Sequence, residues 1–216
     1  LSVAMRVCRL LLLATFGLSS PLNALAQEPP PRIGPFVVDV RGTVPRFDQS
    51  DQLAESHGLL PGDLPRTGLG VDAGAHFYVF KWKAVTFGLG GQATLARAHA
   101  SPAESTGLRP VTERFASITP QLSLNFGSGN GWSYLSAGIG AARWKIVPDG
   151  AQEGPADQER LRTVNYGGGA RWFVKRHLAV NVDVRFHQVD PGTPTLGRPG
   201  SPRTTFMIFG GGISVK

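Results

Sequence analysis

Residues 178–188 read Leu-Ala-Val-Asn-Val-Asp-Val-Arg-Phe-His-Gln, and no other stretch restricts the fold of this chain as tightly. Leu178, Val180, Val182, Val184 and Phe186 fall on one face of a β-strand, and Asn181, Asp183, Arg185 and His187 on the other, because successive strand side chains point to opposite sides. A helix would scatter the same residues around its axis. The strand therefore separates an apolar environment from a hydrogen-bonding one. Its eleven residues also match what a tilted strand needs to cross the hydrocarbon of a bilayer.

The same alternation recurs along the chain. Residues 36–44 set Phe36, Val38, Val40 and Val44 against Asp39, Arg41 and Thr43. In 69–79, Leu69, Val71, Phe77 and Val79 oppose Asp72, His76 and Tyr78; in 85–96, Val85, Phe87, Leu89 and Leu95 oppose Thr86, Gln92 and Thr94. Residues 116–126 place Ile118, Leu122, Leu124 and Phe126 against Ser117, Thr119, Gln121, Ser123 and Asn125, and 163–174 place Val164, Tyr166, Trp172 and Val174 against Asn165 and Arg171. Residues 132–146 and 205–215 have strand composition, but their glycines and alanines leave the facing undecided.

Short connections, at 80–83, 127–131 and 175–177, alternate strictly with long polar ones at 47–65, 99–113, 147–161 and 190–203. This is the connection pattern of a transmembrane barrel, with periplasmic turns on one rim and extracellular loops on the other. The predicted fold is all-β: an eight-stranded antiparallel up-and-down transmembrane β-barrel over 36–216, after a signal peptide at 1–26 and a Pro-rich linker at 27–35. An even strand number lets the sheet close, and closure is required because an unpaired backbone group in lipid costs several kcal/mol. Eight strands leave room only for side chains or one small ligand.

A soluble lipocalin-like barrel would show the same alternation with its faces exchanged. Composition decides against it: charged residues are only 17%, against about a quarter in soluble domains. The polar face is mostly Gly, Ser, Thr, Asn and Gln, where a water-facing sheet carries many charges. Trp82, Trp132, Tyr134, Trp144, Tyr166 and Trp172 lie near strand ends, as an interfacial girdle would. The signal peptide is read from a short basic start with Arg6 and Arg9, the apolar run that follows it, and the small residues of Ala24-Leu25-Ala26 at a cleavage site before Gln27. Cleavage there removes Cys8, the only cysteine, and leaves a thiol-free chain suited to an oxidising compartment.

Residues 166–173, Tyr-Gly-Gly-Gly-Ala-Arg-Trp-Phe, and 209–215, Phe-Gly-Gly-Gly-Ile-Ser-Val, resemble the glycine-bearing strands of the small eight-stranded outer-membrane protein β-barrel family. The resemblance covers about 33–216 and is one of pattern. It implies a bacterial outer-membrane location, handling by the outer-membrane assembly machinery, and a monomeric, non-enzymatic barrel whose loops serve surface interaction or envelope integrity. Members commonly end on an aromatic residue, whereas this sequence ends Val215-Lys216.

Two sets of residues follow from these faces. Asp39, Arg41, Asp72, His76, Arg171, Asp183, Arg185 and His187 point to the lumen, where three acids and three arginines can neutralise one another. Arg46, Arg66, Arg97, Arg114, Arg143, Arg160, Arg162 and Arg203 flank the long loops and would form a collar for the phosphates of lipopolysaccharide. No catalytic residue, metal site or cofactor is assigned: the five histidines are dispersed, and no phosphate loop or nucleic-acid motif is present. Some barrels of this size modify lipid A with Ser and His near the outer rim. His99-Ala-Ser101 has those residue types but no evident acid to orient the histidine. A small-ligand carrier or narrow channel, a lipid A-modifying enzyme and a soluble periplasmic barrel stay open as alternatives, and the surface ligand of the loops is not assigned.

Overall fold

The computed structural model describes residues 33–101, 109–128 and 130–216, so the expected signal peptide and most of the linker lie outside the described residues. Eight strands form one closed antiparallel barrel in chain order: β1 (Phe36–Arg46), β2 (Gly68–Trp82), β3 (Val85–Ala100), β4 (Val111–Ser128), β5 (Gly131–Pro148), β6 (Leu161–Lys175), β7 (Leu178–Val189) and β8 (Thr204–Val215). Closure comes from β1 and β8, paired from Val38 opposite Val215 to Arg46 opposite Met207. The sheet has no free edge, as strands surrounded by hydrocarbon require.

Facing follows the sequence pattern. On β7, Val180 and Val182 are 47% and 50% exposed, while Asn181 and Asp183 are 2% and 3%. Apolar side chains point outward and polar ones inward, the reverse of a water-soluble globule. The two undecided strands are settled by what they bury. On β5, Trp132, Tyr134, Trp144 and Ile146 point inward, and on β8 so do Phe206, Ile208 and Ser214. Half of the expected girdle is thereby overturned: Trp132, Tyr134 and Trp144 fill the lumen, and only Trp82, Tyr166 and Trp172 face outward. Nearness to a strand end carries no information about facing, and in β5 small residues hid the phase.

The strands also run further than the alternation suggested. Phe80, Lys81 and Trp82 belong to β2, so the turn to β3 is only Lys83–Ala84, with Lys83 in the left-handed region at φ 52°. At the opposite rim β3 continues to Ala100 and β4 starts at Val111, which shortens the long connections. Toward this loop rim the sense of the barrel reverses. Outward positions become Arg97, Arg114, Lys145 and Arg162, while inward ones become Ala98, Val111, Phe115, Trp144, Ile146 and Leu161.

The loop after β1 continues that reversal. It carries α1 (Asp51–His57) and a 3-10 turn (Pro61–Asp63). Helix α1 stops at Gly58, whose φ of 69° is left-handed and cheap only for glycine. Leu53 and Ala54 of α1, with Phe47 and Leu64, pack onto Phe115, Trp144, Phe206 and Ile208 and cap the barrel with apolar side chains. A smaller cluster of Trp132, Phe173 and Ala179, joined by Ile33, closes the turn rim.

Candidate functional site

Between the two apolar ends lies a buried polar layer, and all eight expected lumen residues are in the interior. Arg41 is its hub. Its guanidinium donates to Asp72 at 2.8 Å, Asn181 at 2.9 Å and the Tyr134 hydroxyl at 2.9 Å, and lies 2.9 Å from Asp39. Arg171 forks onto Asp39 at 2.9 and 2.6 Å, and its guanidinium carbon sits 3.9 Å above the Tyr134 ring. Arg185 binds Asp183 at 2.9 Å and donates to Asn165 at 2.9 Å and Ser136 at 2.7 Å. Gln92, Gln121 and Asn165 extend the layer across β3, β4 and β6, with Gln92 donating to Asp72 at 2.5 Å. Each charge meets an opposite one, as burial demands.

Tyr134 joins the two halves: it accepts from Arg41 and donates to Asp183. The sequence placed it in the outer girdle instead of this layer, because its strand had no readable phase. Gly169 explains how it fits. A Cβ there would sit 2.7 Å from the Tyr134 hydroxyl, so the glycine run of β6 makes room for the ring between β5 and β7.

His76 and His187 share the interior but not the network: neither ring nitrogen of either has a hydrogen-bond partner among the described residues. His187 belongs to the cap, stacked on Phe206 at 5.6 Å and edge-on to Phe115 at 5.1 Å. Neither histidine is hydrogen-bonded to Asp72 or Asp183. The ring positions follow the strand register, which sets them beside apolar or glycine neighbours such as Gly90.

Above the rim the loops are tied together. Asp157, in the short helix α2 (Pro155–Gln158), accepts from the backbone of Ile146 and Gly154, both at 2.9 Å. Its carboxylate is 3.8 Å from His57 of α1, and Arg198 of the last loop donates to the His57 carbonyl at 3.2 Å. Among the described residues, three of the four loops meet at His57.

His99 and Ser101, which lacked an orienting acid in the sequence, reach one through Thr112. The Thr112 hydroxyl donates to Asp149 at 3.0 Å, so its oxygen accepts from His99 Nδ1, 3.2 Å away. This leaves His99 Nε2 facing Ser101 Oγ at 3.3 Å. The acid was not legible because it comes from the residue just past β5, brought beside Thr112 by the β4–β5 pairing. Among the described residues no three His, Cys, Asp or Glu side chains converge as a metal site would need.

The expected arginine collar is uneven. Arg97, Arg114 and Arg143 cluster with Lys145 on the outer face of β3, β4 and β5, with Arg160 at its edge. Arg203 stands elsewhere and pairs with Asp190 at 3.4 Å. Arg46 bridges to Thr67 at the base of the first loop, and Arg66 and Arg162 are exposed.

No family model and no curated protein sequence matches this chain. Solved structures do. Neisserial surface protein A aligns with a TM-score of 0.54 at 13% identity, over 85% of this chain and 97% of its own. Ail, the attachment invasion locus protein of Yersinia pestis, aligns at 0.47 and 11% identity over 83% and 95%. The outer membrane enzyme PagL aligns at 0.43 and 13% identity over 84% and 99%. At such identities the likeness is one of architecture, and it agrees with the closed, inverted eight-strand sheet: this chain has the fold of the small eight-stranded outer-membrane β-barrels.

Proposed function

We propose that this protein is an integral protein of the bacterial outer membrane: a sealed, non-enzymatic barrel, exported through a cleaved signal peptide, whose loop rim serves surface contact or envelope integrity. Its short turns face the periplasm and its long loops the exterior. One observation carries this reading: the lumen is filled from end to end, by Trp132 and Phe173, then the Arg41, Arg171 and Arg185 layer, then the Phe115 and Phe206 cap. A solute would have to break buried ion pairs to pass, which disfavours a channel or carrier. The barrel should need detergent for extraction, migrate differently on gels before and after heating, and give no stepwise conductance in planar bilayers. Conductance steps from the unaltered protein would overturn the sealed lumen, and release from membranes by salt alone would overturn the membrane assignment.

The Ser101–His99–Thr112–Asp149 chain favours a second reading, a hydrolase acting on ester-linked acyl chains of outer-leaflet lipid. In that reading His99 takes the Ser101 proton while Thr112 and Asp149 hold its ring. Mass spectrometry of lipid A from cells expressing the protein or Ser101→Ala separates the two: acyl loss that depends on Ser101 supports the hydrolase, and identical spectra support the non-enzymatic barrel.

A further inference from the structure

Four cations share one small area of the outer face. Arg97 of β3 is directly opposite Arg114 of β4, which is directly opposite Lys145 of β5; Arg143, opposite Ala116, lies on the same face nearer the apolar band. Like charges facing each other across strands are destabilising. Lys145 is held by Glu153 at 2.6 and 2.7 Å, but among the described residues no carboxylate comes within ion-pair distance of Arg97, Arg114 or Arg143. Snorkelling at strand ends requires no such crowding. An anion placed between the guanidinium groups would convert the repulsion into a multidentate attraction.

Directly beneath the cations runs a groove of about 630 Å3, lined by Leu69, Val71, Leu95 and Ala116, with Arg97, Arg114, Arg143 and Lys145 at its head. The small side chain of Ala116 keeps it open. A second groove of about 650 Å3 on the outer face, between Leu122, Leu135, Tyr166 and Phe186, is as apolar but has no cation on its lining. Hydrocarbon fits both. Only the first offers a place for a phosphate at the end of the chain.

We propose that this face of β2 to β5 holds a phosphorylated glycolipid of the outer leaflet, lipopolysaccharide, with a phosphate between Arg97, Arg114 and Arg143 and an acyl chain in the groove below. The site rests on the membrane reading above and assigns the collar's binding to one side of the barrel. Like-charge crowding, the cation-roofed groove and the bare second groove together select an amphiphile over a free anion.

The test is thermal melting of the folded, full-length barrel in zwitterionic detergent, with lipopolysaccharide, its dephosphorylated form or inorganic pyrophosphate added. Lipopolysaccharide should raise the melting temperature saturably, and the other two should not. Arg97→Gln with Arg114→Gln should weaken apparent affinity at least about tenfold, since hydrogen bonds to charged groups are the strong ones. Without lipid the same double variant should melt at or above the unaltered protein, because the repulsion is gone; this reversal of sign separates a ligand site from a structural role. Ala116→Trp should weaken binding by filling the groove, and Arg203→Gln should leave it unchanged. An undiminished response in the double variant, an equal response to pyrophosphate, or a lower melting temperature of the double variant without lipid overturns the site. A barrel that needs detergent yet ignores lipopolysaccharide also overturns the site and leaves the membrane reading standing; one that stays folded and soluble without detergent overturns that reading itself.

Discussion

The two ends of a single strand obey opposite rules. In the lower part of β4, Ile118, Leu122 and Leu124 face out and Thr119, Gln121 and Ser123 face in; nearer the loop rim, four residues before Ile118, Arg114 faces out, and Phe115 and Val111 face in. Strands β3, β5 and β6 change in the same way, through Arg97, Arg143 and Lys145, and Arg162. The backbone does not change at all, only the solvent it must satisfy. Below the change the surroundings are hydrocarbon and the interior can be polar. Above it the surroundings are water and headgroups, so the interior becomes an ordinary apolar core completed by α1. The reversal locates the outer boundary of the apolar band, and the crowded arginines sit on it.

The largest effect should come from the inverted part. Arg171 and Asp39 form a bidentate, fully buried pair, so Arg171→Met would leave three buried carboxylates facing two arginines, with Asp39 keeping only Arg41 and Ser214 as partners. The expected loss is about 3–5 kcal/mol, read as a fall in the urea midpoint of the barrel refolded into liposomes. Asp39→Leu in the same background should restore part of it, because the two remaining arginines then face two carboxylates, Arg41 with Asp72 and Arg185 with Asp183. A single variant within about 1 kcal/mol of the parent would mean that the polar layer is not what the lower barrel depends on.

Next in size is a direct probe of the boundary. Leu122 is 65% exposed in the middle of the apolar band, and Leu122→Arg should cost about 2–4 kcal/mol, as arginine does near a bilayer midplane. Gln188, outward on β7 beyond the change, should accept arginine for about 0–1 kcal/mol. Equal costs at the two positions would erase the distinction between the two parts of the barrel.

This boundary also explains what the sequence could and could not disclose. Period-2 counting located all eight strands and the facing of six, including the buried positions of Asp39, Arg41, Arg171 and Asp183, because the outward partners there are large and apolar. It stopped short at the loop rim, where Phe115 inside and Arg114 outside look like a broken alternation although the strand simply continues. It failed on β5 and β8 because Gly138, Gly140, Gly210 and Gly212 give no side chain to count, yet these glycines are what admit the inward side chains of Gln121, Thr119 and Arg41. The cap was invisible for another reason: Leu53, Ala54 and Leu64 sit in a segment rich in Asp, Gly and Pro, which reads as solvated loop until α1 folds into the mouth.

The smallest of these effects tests whether the upper part behaves as a soluble core. Glu113 is fully buried among apolar side chains, and the indole of Trp144 donates to it at 2.6 Å. Trp144→Phe keeps most of the ring volume but removes that donor, which should cost about 1–3 kcal/mol, the usual penalty for a buried polar group left unmatched. In a soluble core the remedy is to remove the second partner as well. Trp144→Phe with Glu113→Leu should therefore regain more than half of the loss, while conductance stays absent because Phe115, Phe206 and α1 still fill the mouth. If the double variant is no better than the single one, the cap owes its stability to something other than apolar burial, and the contrast between the two ends of the strands no longer holds.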